Sequence, residues 1–225
     1  MKTKDQILLE EAYNSIVEAD SILVPRRSKE DRNKNLKVAT LMKIKEYIKN
    51  GSKGDLDLRD KPINSLPDNL KVDGDLVITG TEITTLPENL KVAGYLFLAG
   101  LPIKILPASL RVGRGLFLSH TKITSIPDTV IADPEEGLKY LVVLNTQITS
   151  LPDNLKTQGS LDLEGTNIKS LPKGLRVDGN LYIRNTDIKV VNNDVKVSGK
   201  IYSDKVPIIG NKNVRGGRRF RFRPE

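Results

Sequence analysis

The chain has 225 residues, 36 Lys/Arg against 28 Asp/Glu for a formal net charge of +8, one His, two Met, and neither Cys nor Trp. The lack of Cys excludes disulfides, thiolate metal sites and a Cys nucleophile. No apolar run approaches the roughly 18–20 residues that a membrane-spanning helix needs, so no membrane partner is expected.

The charge is unevenly placed. Residues 1–50 carry a net +3, residues 51–210 sum to zero, and residues 211–225 carry +5. Three regions follow: a helical N-terminal segment and cap at 1–52, a repeat region at 53–210, and a basic Arg/Phe tail at 211–225. Phosphate binding needs positive potential on the contacting surface, which the neutral middle lacks as a whole.

At the N-terminus, "MKTKDQILLEEAYNSI" has acids where a secretory signal needs an apolar block, and a cytoplasmic location is expected. Residues 5–18 read as an amphipathic helix with Asp5 as its cap and Leu8, Leu9, Ala12, Tyr13 and Ile16 in one stripe. The polar stretch "SILVPRRSKEDRNKN" reads as a loop. A second helix fits Leu36 to Lys49, with Leu41, Ile44 and Ile48 on one face and Gly51 ending it. This helix is expected to cover the first repeat, because a solenoid otherwise leaves an apolar end in water.

From Leu56 the chain repeats itself. Units begin at Leu56, Leu76, Leu96, Leu116, Leu141, Leu161, Leu181 and Ile201, every 20 residues except for one step of 25. A fixed period of this length specifies stacked coils that bury a shared interior. In "VDGDLVI", Val72, Gly74, Leu76 and Ile78 alternate with other residues, which predicts one strand with a buried face. Gly80 and Thr81 turn the chain, Ile83 and Leu86 return to the interior, and Pro87 stands where no amide donor is needed. The expected fold is mainly β, a parallel solenoid of about eight coils, roughly 35 Å long at ~4.8 Å per strand.

The motif "LDLEGTNIKSLPKGL" (residues 161–175) resembles the leucine-rich repeat, with Thr in place of the usual Asn. The Leu-Pro pair and the 20-residue length are most similar to the short bacterial type, and comparable Thr-bearing repeats occur in phage proteins. The resemblance covers about residues 54–210 and implies protein recognition through the exposed sheet face, without chemistry. If the chain is phage-encoded, the host cytoplasm or the virion is its location. The segment "LLEEAYNSI" resembles N-terminal segments of some tailed-phage proteins, so a virion or assembly component is a further reading.

Thr81, Thr121, Thr146, Thr166 and Thr186 share one position, interrupted by Lys61, Leu101 and Val206. A hydroxyl with no base beside it is no nucleophile, so these threonines are expected to bond to turn backbone. The 25-residue step contains "IADPEEGLKY", whose extra residues near Asp133–Gly137 predict an acidic loop. Either a tolerated insertion or a contact fits it.

Val77, Tyr95, Phe97, Phe117, Tyr140, Val142, Tyr182 and Tyr202 fall on the outward positions of the sheet. All six aromatics of the repeat region are among them, which points to a protein-binding face open to a partner or to a second copy of the chain. Cross-strand stacking that stabilises the sheet is the competing reading, as is cover by the N-terminal helix. Lys71, Lys91, Arg111, Lys156, Arg176 and Lys196 form a second ladder. Asp68, Glu88, Asp128 and Asp153 lie three residues earlier in their coils, and local pairing is expected.

The tail offers Arg215, Arg218, Arg219, Phe220, Arg221, Phe222 and Arg223. Arginines on phosphates with stacking rings would bind nucleic acid or another anionic surface. The same residues also fit a cover over the last coil or a loose basic tail. His120 has no Ser, Cys or Asp partner in any recognisable arrangement, and no phosphate-binding glycine motif or metal-ligand cluster occurs. No cofactor and no enzymatic activity are expected.

Overall fold

A computed structural model describes residues 28–130 and 137–204, and the backbone of 208–209. The first expected helix, the insertion residues 131–136 and the basic tail lie outside the described residues.

The described chain opens with a helix, Lys29–Lys49. It begins seven residues before the expected start, inside the stretch read as loop. "KEDRNKN" has no apolar stripe to betray a helix, and the start is set by its cap instead. The Ser28 hydroxyl accepts from the Asp31 amide at 3.1 Å, and the Asp31 carboxylate accepts from the Ser28 amide at 3.2 Å. Val38, Thr40 and Ile44 are buried, while Ile48, expected on the inner face, is 43% exposed. Ile44 belongs to the same buried cluster as Leu56 and Leu58.

Eight short strands then lie side by side in one parallel sheet: Leu56–Asp57, Leu76–Val77, Tyr95–Phe97, Gly115–Phe117, Tyr140–Val142, Leu161–Asp162, Leu181–Tyr182 and Ile201–Tyr202. Seven turns of chain join them. Each strand pairs one repeat onward, Leu56 with Leu76 and so on to Leu181 with Ile201. The 25-residue step keeps this register, with Leu116 opposite Leu141. The molecule is a mainly β parallel solenoid.

The expected strand through Val72, Gly74, Leu76 and Ile78 is in fact two. Lys71–Val72 pairs with Lys91–Val92 in a separate sheet, and the chain bends at Asp73–Gly74 before Leu76–Val77 joins the long one. Val72, Leu76 and Ile78 are all interior, so alternation of burial survives the bend. Gly74 is glycine for lack of space. A Cβ there would sit 2.6 Å from the Gly54 carbonyl carbon, and one on Gly94 would sit 2.7 Å from that of Gly74. The Gly74 amide donates to the Gly54 carbonyl and the Gly94 amide to the Gly74 carbonyl, both at 2.9 Å. Close approach along the stack, and not a left-handed backbone, fixes this column.

A different column holds the left-handed turn after each long-sheet strand. Asp60, Gly80, Gly100, His120, Asn145, Gly165 and Asn185 all have positive φ, between 52° and 76°. Beside that turn, the hydroxyls of Thr81, Thr121, Thr146 and Thr166 donate to the carbonyl three residues back at 2.7 Å, and Thr186 does so at 2.8 Å. Each bond closes within its own coil, which satisfies a buried hydroxyl. The interior is a continuous column of Leu, Ile and Val, most of them 0–3% exposed.

Candidate functional site

The long sheet presents three outward positions per coil: one before the interior residue that opens the strand, one after it, and one two residues further. Parallel register stacks each position on its counterpart at ~4.8 Å. The central column reads Asp57, Val77, Phe97, Phe117, Val142, Asp162, Tyr182, Tyr202.

Within that column Phe97 and Phe117 stack with centroids 4.6 Å apart and planes 15° apart. Tyr95, in the column before, meets Phe97, Phe117 and Tyr140 at 6.2, 6.0 and 6.3 Å. Tyr95 fits because its neighbour is Gly115, where a Cβ would come within 2.8 Å of the ring. Tyr140 leans over Gly159 in the same way, its ring 2.6 Å from a Cβ placed there. Tyr182 and Tyr202 form a second stack, 4.7 Å apart and nearly parallel, with the Arg184 guanidinium 5.6 Å from the Tyr202 centroid. The structure therefore divides the eight face residues in two. Tyr95, Phe97, Phe117, Tyr140 and Val142, with Val77 at their margin, make one group. Tyr182 and Tyr202 make the other, and Asp162 lies between.

None of the six rings enters the interior. Five are half-buried and Tyr140 is 37% exposed. The rings shelter one another, so they are less open to water than the sequence implies.

Charge sharpens the outline. In the third, fourth and fifth coils the outward positions are Tyr95, Phe97 and Ala99, then Gly115, Phe117 and Ser119, then Tyr140, Val142 and Leu144. None of these nine carries a charge. On one side the second coil carries Asp75 and the first carries Asp57 and Arg59, paired at 3.7 Å; on the other the sixth coil carries Asp162 and Glu164 and the seventh Arg184. Ala99, Ser119 and Leu144 were not singled out by the sequence reading. Extending the two-residue alternation past each strand end would have found them.

At the charged margin Glu164 is the most constrained group. Its Oε1 is buried without a hydrogen-bond donor among the described residues, and the nearest cation is Arg184 Nε at 3.7 Å. Burial pushes the Glu164 carboxyl above the ordinary glutamate range; the charges of Asp162 and Asp204 add to the rise and Arg184 opposes it.

The cationic ladder does stack, Lys71 on Lys91 on Arg111, and Lys156 on Arg176 on Lys196. The expected local pairing is absent for the first set. Lys71 and Lys91 form no ion pair among the described residues, and Arg111 donates to the Ala108 and Leu110 carbonyls at 2.9 Å. Glu88 instead accepts from the Ser109 hydroxyl one coil on. A turn between glutamate and lysine directs the two side chains apart, which spacing alone does not reveal. A cavity of about 810 Å³ runs beside Lys71, Lys91 and Arg111.

His120 is exposed on its left-handed turn. Among the described residues no three His, Asp or Glu side chains come together to hold a metal ion, and no helix is long and apolar enough to cross a membrane. Arg215, Arg218, Arg219, Phe220, Arg221, Phe222 and Arg223 lie outside the described residues.

No family model and no curated protein sequence matches the chain. Among solved structures, the leucine-rich-repeat domain of a Shigella effector is similar, at 17% identity over 90% of this chain and 98% of that domain, with a TM-score of 0.42.

Proposed function

We propose that the chain is a non-enzymatic protein-interaction module of leucine-rich-repeat type, binding a protein partner over the third to fifth coils of its long sheet. One observation carries this reading: nine adjoining outward positions hold no charge, hold four of the six repeat-region aromatics, and are bounded on both sides by charged coils. Burial of Phe97, Phe117, Tyr95 and Tyr140 in a partner's groove is the mechanism, with the charged margins as a rim. A second copy of the chain is one candidate partner, and a phage-encoded chain, in the host cytoplasm or as a virion or assembly component, is one reading of the repeat style.

Ser119 tests the proposal with little risk to folding, since its side chain is half-buried on the outside of the stack. Ser119→Arg puts a charge in the middle of the block, and Ser125→Arg puts the same charge on an exposed position of the same coil, outside the sheet. In pull-downs from the organism that makes the chain, the partner is expected to be retained by wild type and by Ser125→Arg and lost with Ser119→Arg, while all three melt alike. Retention by all three would overturn the proposal.

A second reading rests on the tail, which holds +5 of the net +8. It is nucleic-acid or anionic-surface binding, with the solenoid as a spacer. Affinity for DNA or RNA would then fall steeply with salt and disappear on deletion of residues 211–225; a flat salt dependence would remove it.

A further inference from the structure

Three cations stand together with no counter-charge. The sheet of Lys71–Val72, Lys91–Val92 and Arg111–Val112 stacks Lys71, Lys91 and Arg111 in one column, at ~4.8 Å per coil. Like charges on directly opposed positions repel, so the column costs stability. Among the described residues none of the three forms an ion pair. The Glu88 carboxylate, three residues before Lys91, accepts instead from the Ser109 hydroxyl. Arg111 Nη1 donates to the Ala108 and Leu110 carbonyls at 2.9 Å, which fixes the direction of the guanidinium and leaves its charge uncancelled.

The ground beside this column is open. Two residues on, the next outward column reads Asp73, Ala93 and Gly113. Farther along the stack the same two columns set Lys156 with Gln158 and Arg176 with Asp178, which are larger neighbours. Beside the small Ala93 and Gly113 lies the cavity of about 810 Å³, walled by the C-terminal end of the helix. Ile48, expected on the inner face of that helix, lines this groove and is 43% exposed. The volume falls within the range of about 300–1,000 Å³ that small-molecule sites occupy. Asp73 is the one carboxylate among the lining residues, and it stands at the helix end, its amide donating to the Ser52 carbonyl at 3.1 Å. Positive potential therefore concentrates toward Lys91 and Arg111.

The charge count selects the ligand. A single carboxylate would leave most of the column uncompensated. A phosphate group carries nearly two charges and three strong acceptor oxygens, so cations one coil apart can bind different oxygens of one phosphate. The row of three spans about 10 Å, the reach of a short chain of linked phosphates. We propose that the groove beside Lys71, Lys91 and Arg111 binds such a chain, either inorganic or carried by a nucleotide. Lys71 and Lys91 supply mobile ammonium groups, and Arg111 supplies a guanidinium already held in place. The site is on a different sheet from the aromatic face, so the inference is independent of the partner-binding reading.

Titration calorimetry of the full chain with tripolyphosphate, orthophosphate and adenosine triphosphate is the test. Tripolyphosphate is expected to bind at least about tenfold more tightly than orthophosphate, because it engages the whole row. Lys71→Gln with Lys91→Gln, both exposed, should weaken tripolyphosphate at least about tenfold, while Arg176→Gln with Lys196→Gln should weaken it less than about twofold. The second pair removes the same charge from the same column elsewhere. The Ala93 and Gly113 amide signals should shift on saturation of the intact chain, and an otherwise unchanged amide spectrum shows that each variant is folded. Adenosine triphosphate binding at least as tightly as tripolyphosphate supports the site with a nucleotide as its ligand, and weaker binding supports it with an inorganic chain. Equal losses from the two double variants would mean diffuse attraction to a basic chain. No loss from either would put the binding elsewhere. Both results overturn the proposal, as would orthophosphate binding as tightly as tripolyphosphate.

Discussion

The middle coils and the flanking coils stitch the same backbone together in two ways. In the flanking coils the residue before each strand's interior Leu is polar, and it accepts the amide of its counterpart one coil on: Asp55 from Asp75 and Asp75 from Tyr95 at 2.8 Å, Ser160 from Asn180 at 3.1 Å, and Asn180 from Lys200 at 2.9 Å. In the middle coils the same column reads Tyr95, Gly115, Tyr140, and rings over glycine replace the polar ladder. The solenoid thus has a water-compatible way to fill this column and uses it on both sides. Folding alone does not require the rings where they are, and this favours the proposed partner-binding face.

The comparison predicts that the interior is indifferent to it. Leu116→Ala in the middle and Leu181→Ala outside remove side chains that are equally and fully buried. Each is expected to cost about 2–5 kcal/mol, with the two within about 1 kcal/mol of each other in denaturant titration. A much smaller loss at Leu116 would show that the outer rings carry middle-coil stability, and the contrast between interior and face would collapse.

The stacked pair is the next largest effect. Phe97→Ala with Phe117→Ala removes a 4.6 Å stack and contacts to Tyr95. Because the rings shelter one another, the double change is expected to lower stability by about 1–3 kcal/mol, while partner binding falls below detection. A loss as large as that of Leu116→Ala, measured in the same titration, would make these rings structural. On the polar side, Asp75→Ala removes only the acceptor for the Tyr95 amide and is expected to cost about 1 kcal/mol. A cost near zero would mean water replaces the carboxylate and that the ladder holds nothing together.

Much of this architecture was legible because its cause is periodic. An apolar residue every 20 positions announces itself, and the interior columns, the threonine turns and the outward rings all followed from that spacing. What was not legible has aperiodic or three-dimensional causes. The first turns of the helix at Lys29–Lys49 are polar throughout and begin at a two-residue cap. The bend at Gly74 splits a strand without disturbing which residues are buried. Glu88 and Lys91 diverge across a turn, so closeness in sequence did not make a pair. For the face, the rings were visible but their limits were not. The uncharged block is completed by Ala99, Ser119 and Leu144 stacked beside them, small or aliphatic residues beyond the strand ends that carry no ring to draw the eye.

The smallest effect lies at the charged margin of that block. Glu164 has its carboxyl pKa raised, first by burial and then by Asp162, so the fold disfavours its ionised form. For a carboxyl whose folded value lies above the unfolded one, the penalty is absent below the ordinary glutamate range. It grows as pH rises through the interval between the two values and is constant above it. Glu164→Gln keeps the shape and removes the charge. It should leave the melting temperature unchanged in acid and raise it by about 1 °C at neutral pH. Arg184, at 3.7 Å and half-exposed, gives up little when its partner is neutralised, because a long pair at that exposure contributes little. A wild-type chain that melts higher than Glu164→Gln at neutral pH would show the opposite balance, with the Arg184 attraction exceeding the cost of burial. The margin would then be a structural clamp between the sixth and seventh coils, and no longer a charged boundary the fold tolerates beside its apolar face.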